Sequence, residues 1–214
     1  MLSDNKKPLF IVFEGLDGSG KSTQIHMLKE KLKAMGRNVC ITAEPTSSAT
    51  GGLIRDALSG NYIRETSELA GLFLADRINH NVNPVWGIKK FLDEGKDVIS
   101  DRYYYSSFAY QGKDSDLKWI MDMNLNCPKI EKPDLCIFLD IDHQKCKNRI
   151  DKERAHLEIF ENDAKVLQQI RTQFFDVFDL LGEKENIRII DADRPIEEVA
   201  DEIYKIVEQL IQNR

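Results

Sequence analysis

The sequence predicts an α/β fold in three layers, with a five-stranded parallel sheet between two sets of helices. Three observations predict it. Apolar runs of strand length recur along the chain with amphipathic segments between them, the pattern of successive strand-helix-strand units. The first run leads directly into a glycine-rich stretch and then a helical pattern. A length of 214 residues closes a well-buried core yet favours a single domain, 1–214, over two.

Residues 9–14 are apolar up to their last member and form the first strand. A helix is expected over 21–35, closed by Gly36 where a left-handed cap is wanted. The second strand covers 38–43, and a short helical pattern covers 51–58. The stretch 65–93 keeps a helical period but contains Pro84, which lacks an N–H and crowds the preceding turn, so a kink or break is expected there. Strand three is 97–101, followed by a helix over 116–126 and strand four over 135–139. Helices over 144–150 and 163–181 come next, the second ending at Gly182 with the same cap expected. Strand five, 187–190, and a helix over 195–212 complete the chain, which has no internal repeat and no low-complexity tract.

Thirty Lys and Arg against 36 Asp and Glu give a net charge of −6. That balance argues against bulk nucleic-acid binding or an anionic membrane surface, while leaving room for a local cationic pocket. Cys40, Cys127, Cys136 and Cys146 fit no metal-ligand spacing, and a chain of this size needs no disulfide framework. Reduced thiols and a cytoplasmic location are therefore expected. The polar start, 1–7, precedes only a short apolar run, so neither a signal peptide nor a membrane span is expected.

Gly15-Leu16-Asp17-Gly18-Ser19-Gly20-Lys21-Ser22-Thr23 contains the pattern GxxxxGK[ST], after a strand and before a helix. Glycines let successive N–H groups turn inward, and the helix N-terminus adds partial positive charge, so the segment cradles phosphate oxygens. An accidental glycine turn can share the letters, but not the strand-loop-helix setting. This P-loop predicts ATP or GTP binding, with Lys21 reaching the β- and γ-phosphates and the Ser22 hydroxyl coordinating Mg²⁺.

A P-loop does not by itself distinguish a kinase from a GTPase switch or a nucleotide sensor. The Asn-Lys-x-Asp base-reading motif of GTPases is absent, the only Asn-Lys being Asn5-Lys6 ahead of the first strand. Strand three ends in Ser100-Asp101-Arg102-Tyr103, at the sheet edge where ligands of open α/β sheets bind. Asp101 suits a water on Mg²⁺, and Arg102 suits two parallel hydrogen bonds to an acceptor phosphate. An ordinary strand-end ion pair is the plainer reading of the same residues.

With 13–23 and Asp101-Arg102-Tyr103-Tyr104-Tyr105-Ser106-Ser107-Phe108-Ala109-Tyr110-Gln111-Gly112 in hand, the sequence resembles the thymidylate kinases over nearly its whole length. Thr42-Ala43-Glu44-Pro45-Thr46, Leu74-Ala75-Asp76-Arg77 and Ile190-Asp191-Ala192 follow in that family's order. The resemblance implies transfer of the γ-phosphoryl group of ATP to dTMP, directly and with Mg²⁺, by a homodimer paired through long helices. It implies that Phe73 stacks on thymine and Arg77 bonds its carbonyl edge, and residues i and i+4 do share a helix face. On sequence alone, Phe73 reads as core on an amphipathic helix, the usual place of an aromatic there.

The resemblance further implies that Ser107 and Gln111 read the N3 edge of the base, with Tyr110 against the sugar. Asp17 meets the 3′-hydroxyl and helps place the metal, and Glu44 belongs to the acceptor site. Arg55 and Arg102 grip the acceptor phosphate, although Arg55 alone reads as an exposed helix charge. The charged segment 149–160, with Arg149, Lys152 and Arg154, reads either as a lid that delivers a cation to the transferring group or as a solvated helix face. Gly18 occupies the position where some relatives carry a basic P-loop residue, which resembles the bacterial type with arginines in the lid. Ala43 replaces an Arg common in bacterial relatives, and Pro45 is expected to follow a cis bond. The rival readings are a deoxynucleoside kinase, a kinase for dUMP, UMP or CMP, and a non-catalytic nucleotide sensor.

Overall fold

The computed structural model describes residues 7–153, 158–160 and 163–213. Five strands, β1 (Phe10–Glu14), β2 (Val39–Ala43), β3 (Asp97–Asp101), β4 (Leu135–Asp140) and β5 (Ile187–Asp191), form one all-parallel sheet in the order β2-β3-β1-β4-β5. β1 is central and wholly buried, which explains why its sequence is apolar without alternation. The register sets Phe13 opposite Asp101 of β3 and Glu14 opposite Phe138 of β4.

Between the strands run α1 (Lys21–Ala34), α2 (Ala49–Leu58), α3 (Thr66–Val82), α4 (Ile88–Asp93), α5 (Tyr104–Tyr110), α6 (Leu117–Leu125), α7 (His143–Glu153), α8 (Ala164–Leu181) and α9 (Ile196–Gln212). α1 packs with α9 on one face and the remaining helices pack with one another on the other, which makes the three layers expected. α8 turns a stripe of Leu167, Ile170, Phe174, Val177, Phe178 and Leu181 inward, and the Phe174 and Phe178 rings lie 4.9 and 5.1 Å from that of Phe138 in β4. Removing the Phe174 ring from that cluster would cost about 3–5 kcal/mol.

Most expected elements form within a residue or two of their sequence limits. Gly36 closes α1 with φ 77°, donating its N–H to Lys33 O at 2.9 Å while Arg37 N–H reaches Leu32 O at 3.0 Å. These bonds satisfy carbonyls that the last turn leaves open. Gly182 also has positive φ, 51°, but its ψ of −141° lies outside the left-handed helical region, so the cap expected there is not formed. The 65–93 pattern divides at Pro84 into α3 and α4. α5 escapes sequence reading altogether: all seven of its residues are buried, so it has no polar face to give a period.

Candidate active site

β1 delivers the chain into the P-loop at Gly15, whose φ is 143° and where a Cβ would sit 2.8 Å from both Leu139 O and Ser19 Oγ. Gly18, φ 76°, is as restricted, because a Cβ there would lie 2.9 Å from Cys146 O of α7. A side chain at either position would push the loop off the sheet. No side chain caps the N-terminus of α1, which leaves its first N–H groups to a ligand at the loop. Lys21 Nζ donates to Gly15 O and Leu16 O, both at 3.1 Å, and so is held over the cradle. Burial and the nearby Arg102 charge lower the Lys21 pKa against the pull of Asp101, Asp17 and Glu14. An incoming polyanion would favour the charged ammonium.

Arg102 leaves β3 in the left-handed region, φ 68°, the one non-glycine among the described residues to do so. Its guanidinium donates to Asp17 Oδ2 at 2.8 Å, Ser106 Oγ at 3.0 Å and Tyr110 Oη at 3.3 Å, and lies 5.1 Å from the centre of the Tyr110 ring. Burial opposes its charge, but Asp17, Tyr110, Glu14 and Asp101 more than offset this and raise its pKa. The cation is therefore fixed beside the P-loop at all physiological pH. Burial raises the pKa of the Tyr110 phenol, against the Arg102 charge beside it.

Arg77 of α3 is 1% exposed and clamped on several sides. Nε donates to Glu44 Oε2 at 2.8 Å, Nη1 to Asn124 Oδ1 at 2.6 Å and Nη2 to Ser107 Oγ at 3.1 Å. Glu44 also meets His80 Nδ1 at 2.9 Å, and His80 Nε2 meets Thr42 Oγ1 at 2.6 Å. Asp76 shapes the segment after β2, accepting from Thr46 N–H, Thr46 Oγ1 and Ser48 Oγ, each at 2.7 Å. The Glu44–Pro45 bond is cis, as the resemblance implies. Arg55 lays its guanidinium on this segment, donating to Thr46 O at 2.5 Å and Pro45 O at 3.2 Å.

These groups surround one cavity of about 700 Å³, within the size range of small-molecule sites. Lys21, Arg102, Arg55 and Arg149 give it cationic walls, while Phe73, Leu58 and Phe160 line an apolar part. Asp101 Oδ1 and Gln111 Oε1, both of lining residues, are buried with no hydrogen-bond partner.

The thymidylate kinase family model matches residues 13–203. The chain belongs to the thymidylate kinase family. It is 37% identical over 213 residues to a protein of Thermococcus gammatolerans named "Probable thymidylate kinase", covering 95% of this chain and 97% of that one. A protein of the same name from Pyrococcus abyssi is 37% identical over 204 residues, 92% of this chain and 95% of its own. The "Thymidylate kinase" of Leptospira interrogans is 35% identical over 206 residues, 94% of this chain and 95% of its own.

In this family member, the P-loop residues Asp17 to Thr23, together with Glu44, Arg55, Phe73, Arg77, Asp101, Arg102, Tyr110, Gln111 and Arg149, come together around the cavity. Ser107 lies behind it, bonded to Arg77, and Ser106 lines it instead. Phe73 packs against the cluster of Ile54, Ala57, Leu58 and Leu69 and also lines the cavity. Arg149 Nη1 donates to Gly18 O at 3.0 Å, so α7 touches the P-loop directly. Arg154, the other expected lid cation, lies outside the described residues.

Sequence reasoning passed over Glu14, Asp76, His80, Asn124 and Phe160. Only two of them carried a local signal: Glu14, a carboxylate closing an otherwise apolar strand, and Asp76, beside Arg77.

Proposed function

We propose that this chain transfers the γ-phosphoryl group of ATP to dTMP, giving ADP and dTDP by direct in-line displacement. One observation carries the reading most strongly: the Arg102 guanidinium, a bidentate phosphate ligand by its chemistry, lies 2.8 Å from Asp17 inside the ATP-binding loop. A cation placed there addresses donor and acceptor phosphates together. Names of relatives aligned over nearly the full chain point to the same reaction.

In this reading the N–H groups of 15–23 and the start of α1 hold the triphosphate, and Lys21 moves from the loop carbonyls to the β- and γ-oxygens. Arg102 and Arg55 hold the acceptor phosphate, and Asp17 the 3′-hydroxyl. Phe73 stacks on thymine, Arg77 meets its carbonyl edge, and Gln111 reads N3, with Ser107 acting behind Arg77 and Tyr110 against the sugar. Arg149, and Arg154 with it, supplies positive charge from the lid. Transfer needs no covalent intermediate, because positioning and charge stabilisation suffice for phosphoryl transfer. The residues present fit Mg²⁺: Asp101 has a buried carboxylate oxygen without a partner, and the Ser22 hydroxyl stands exposed at the start of α1, a set of oxygen donors suited to a hard cation. Held by these groups, Mg²⁺ would supply positive charge toward the phosphate oxygens.

The same reading takes 1–214 as one domain with its lid at 149–160. Exposed Val82 and Val85, at 45% and 72%, support pairing of two copies around the end of α3. No helix among the described residues is long and apolar enough to cross a membrane. ADP release from ATP and Mg²⁺ with dTMP, dUMP, dCMP, UMP or thymidine tests the assignment. Strong preference for dTMP is expected. Preference for thymidine would move it to the nucleoside kinases, and binding of ATP without turnover would make it a sensor.

A further inference from the structure

Glu14 is a carboxylate with no solvent exposure at the last position of the central strand, one residue before the P-loop. The hydrogen bonds of its carboxylate lead away from that loop, toward the segment after β3. Oε1 accepts from Tyr103 N–H at 2.9 Å and Ser106 N–H at 3.1 Å, and Oε2 accepts from Ser106 Oγ at 2.6 Å. Tyr103 is the N-cap position of α5 and has no side-chain cap of its own, so Glu14 supplies the cap from another strand. The Ser106 oxygen that donates to Glu14 also accepts from Arg102 Nη1 at 3.0 Å.

Arg102 is thus gripped on both sides by β1. Its own N–H donates to Phe13 O at 2.9 Å, its carbonyl accepts from Ser100 Oγ at 2.8 Å, and the next N–H in the chain belongs to Glu14. A left-handed arginine persists only where its surroundings over-determine it. Glu14 is also costly to keep: burial raises its pKa to about 7 despite Arg102, Ser106, Tyr103 and Lys21, which favour the carboxylate. A capping role that apolar packing cannot fill accounts for that cost.

We propose that Glu14 is a positioning residue that holds Arg102 in its left-handed conformation, and so keeps the acceptor-phosphate clamp in register with the ATP-binding strand. The inference rests on the acceptor being a nucleoside monophosphate, as argued above. The hydrogen bonds of Glu14 reach the backbone after Arg102 and the Ser106 side chain, whereas Glu14 acts on the triphosphate cradle through charge, at Lys21.

Steady-state kinetics on the wild type, Glu14→Ala, Glu14→Gln and Ser106→Ala, with ATP and dTMP varied separately, tests it. Glu14→Ala is expected to raise KM for dTMP about tenfold and leave KM for ATP within about twofold. Glu14→Gln keeps an oxygen for both N–H groups and should bring KM for dTMP back to within about threefold of the wild type. Ser106→Ala should raise it by about threefold, again without an ATP effect, and carries the test if Glu14→Ala fails to fold. In an Arg102→Ala background, Glu14→Ala should add nothing further to the loss of dTMP binding measured by calorimetry. Equal effects on both substrates, no rescue by Gln, or full additivity with Arg102→Ala would overturn the inference. A wild type inactive toward dTMP would instead overturn the proposed function.

Discussion

The Arg102 guanidinium and the Asp17 carboxylate meet at 2.8 Å across 85 residues of chain, joining the segment after β3 to the loop after β1. Neither is free to search for a phosphate, so the cation is in place before ligand arrives. Such preorganisation is what charge stabilisation of a transferring phosphoryl group requires. Arg102→Lys keeps the charge but loses the fork that reaches Asp17, Ser106 and Tyr110 together. A fall in kcat/KM for dTMP of about 100-fold is expected, with a smaller change in KM for ATP, read by steady-state kinetics.

Lys21→Ala should abolish turnover while leaving the fold intact. The ammonium is buried against a lowered pKa, so removing it relieves desolvation as it vacates two loop carbonyls. Thermal unfolding within a few degrees of the wild type, with kcat reduced by at least about 100-fold, is the expected pair of results. Near-normal turnover would sink the proposed role.

Gln111 carries a buried amide oxygen with no hydrogen-bond partner in the protein. A thymine N3–H would give it one. Gln111→Leu should therefore cost dTMP binding and reduce the preference for dTMP over dCMP by about 10- to 100-fold, measured as the ratio of kcat/KM values.

Glu44→Ala separates stability from recognition. It would leave the Arg77 guanidinium buried without its carboxylate, and losing one partner of a buried pair costs about 3–5 kcal/mol. Phe73→Ala, at a half-buried position on the cavity wall, should instead raise KM for dTMP with a smaller loss of stability. Urea unfolding of both variants, alongside their kinetics, makes the comparison.

Glu14 gives stability a pH dependence of known sign. Its pKa rises from 4.5 to about 7 on folding, so the folded state prefers the protonated acid. Below pH 4.5 that preference is without effect. The destabilisation grows as pH rises from 4.5 to 7 and is complete above 7. Glu14→Gln, which cannot ionise, should gain about 2–3 kcal/mol on the wild type between pH 5 and pH 8. Chemical unfolding at the two pH values reads this directly, and a gap that closes with rising pH would contradict it.

What the sequence disclosed follows the range of the interactions. The P-loop is legible because its whole logic, a strand end, three glycines and a lysine at a helix start, lies within eleven consecutive residues, 13–23. β1, β3 and β4 are legible because each is almost wholly buried and bounded locally, and β2 and β5, the more exposed strands at the sheet edges, because each is a short apolar-rich run with local bounds. α5 is not, since its cap comes from Glu14, 89 residues away from Tyr103, and its burial erases any periodic pattern. The holders of Arg77, Glu44 and Asn124, stand 33 and 47 residues from it, where spacing carries no message. Resemblance could name Arg77 and Ser107 together, but only the folded chain shows the serine behind the arginine rather than on the cavity wall.

β1 and β3 are hydrogen-bonded neighbours, and Phe13 and Asp101 sit side by side just before the two loops begin. The two loops thus issue from neighbouring strands at the same level of the sheet, and the spacing between such strands, about 4.8 Å, is a property of the peptide backbone. Side-chain changes around the cavity can alter which base enters or how firmly a phosphate is gripped. The origin from which both loops start is ruled off by the sheet itself, a measure that ordinary substitution does not redraw.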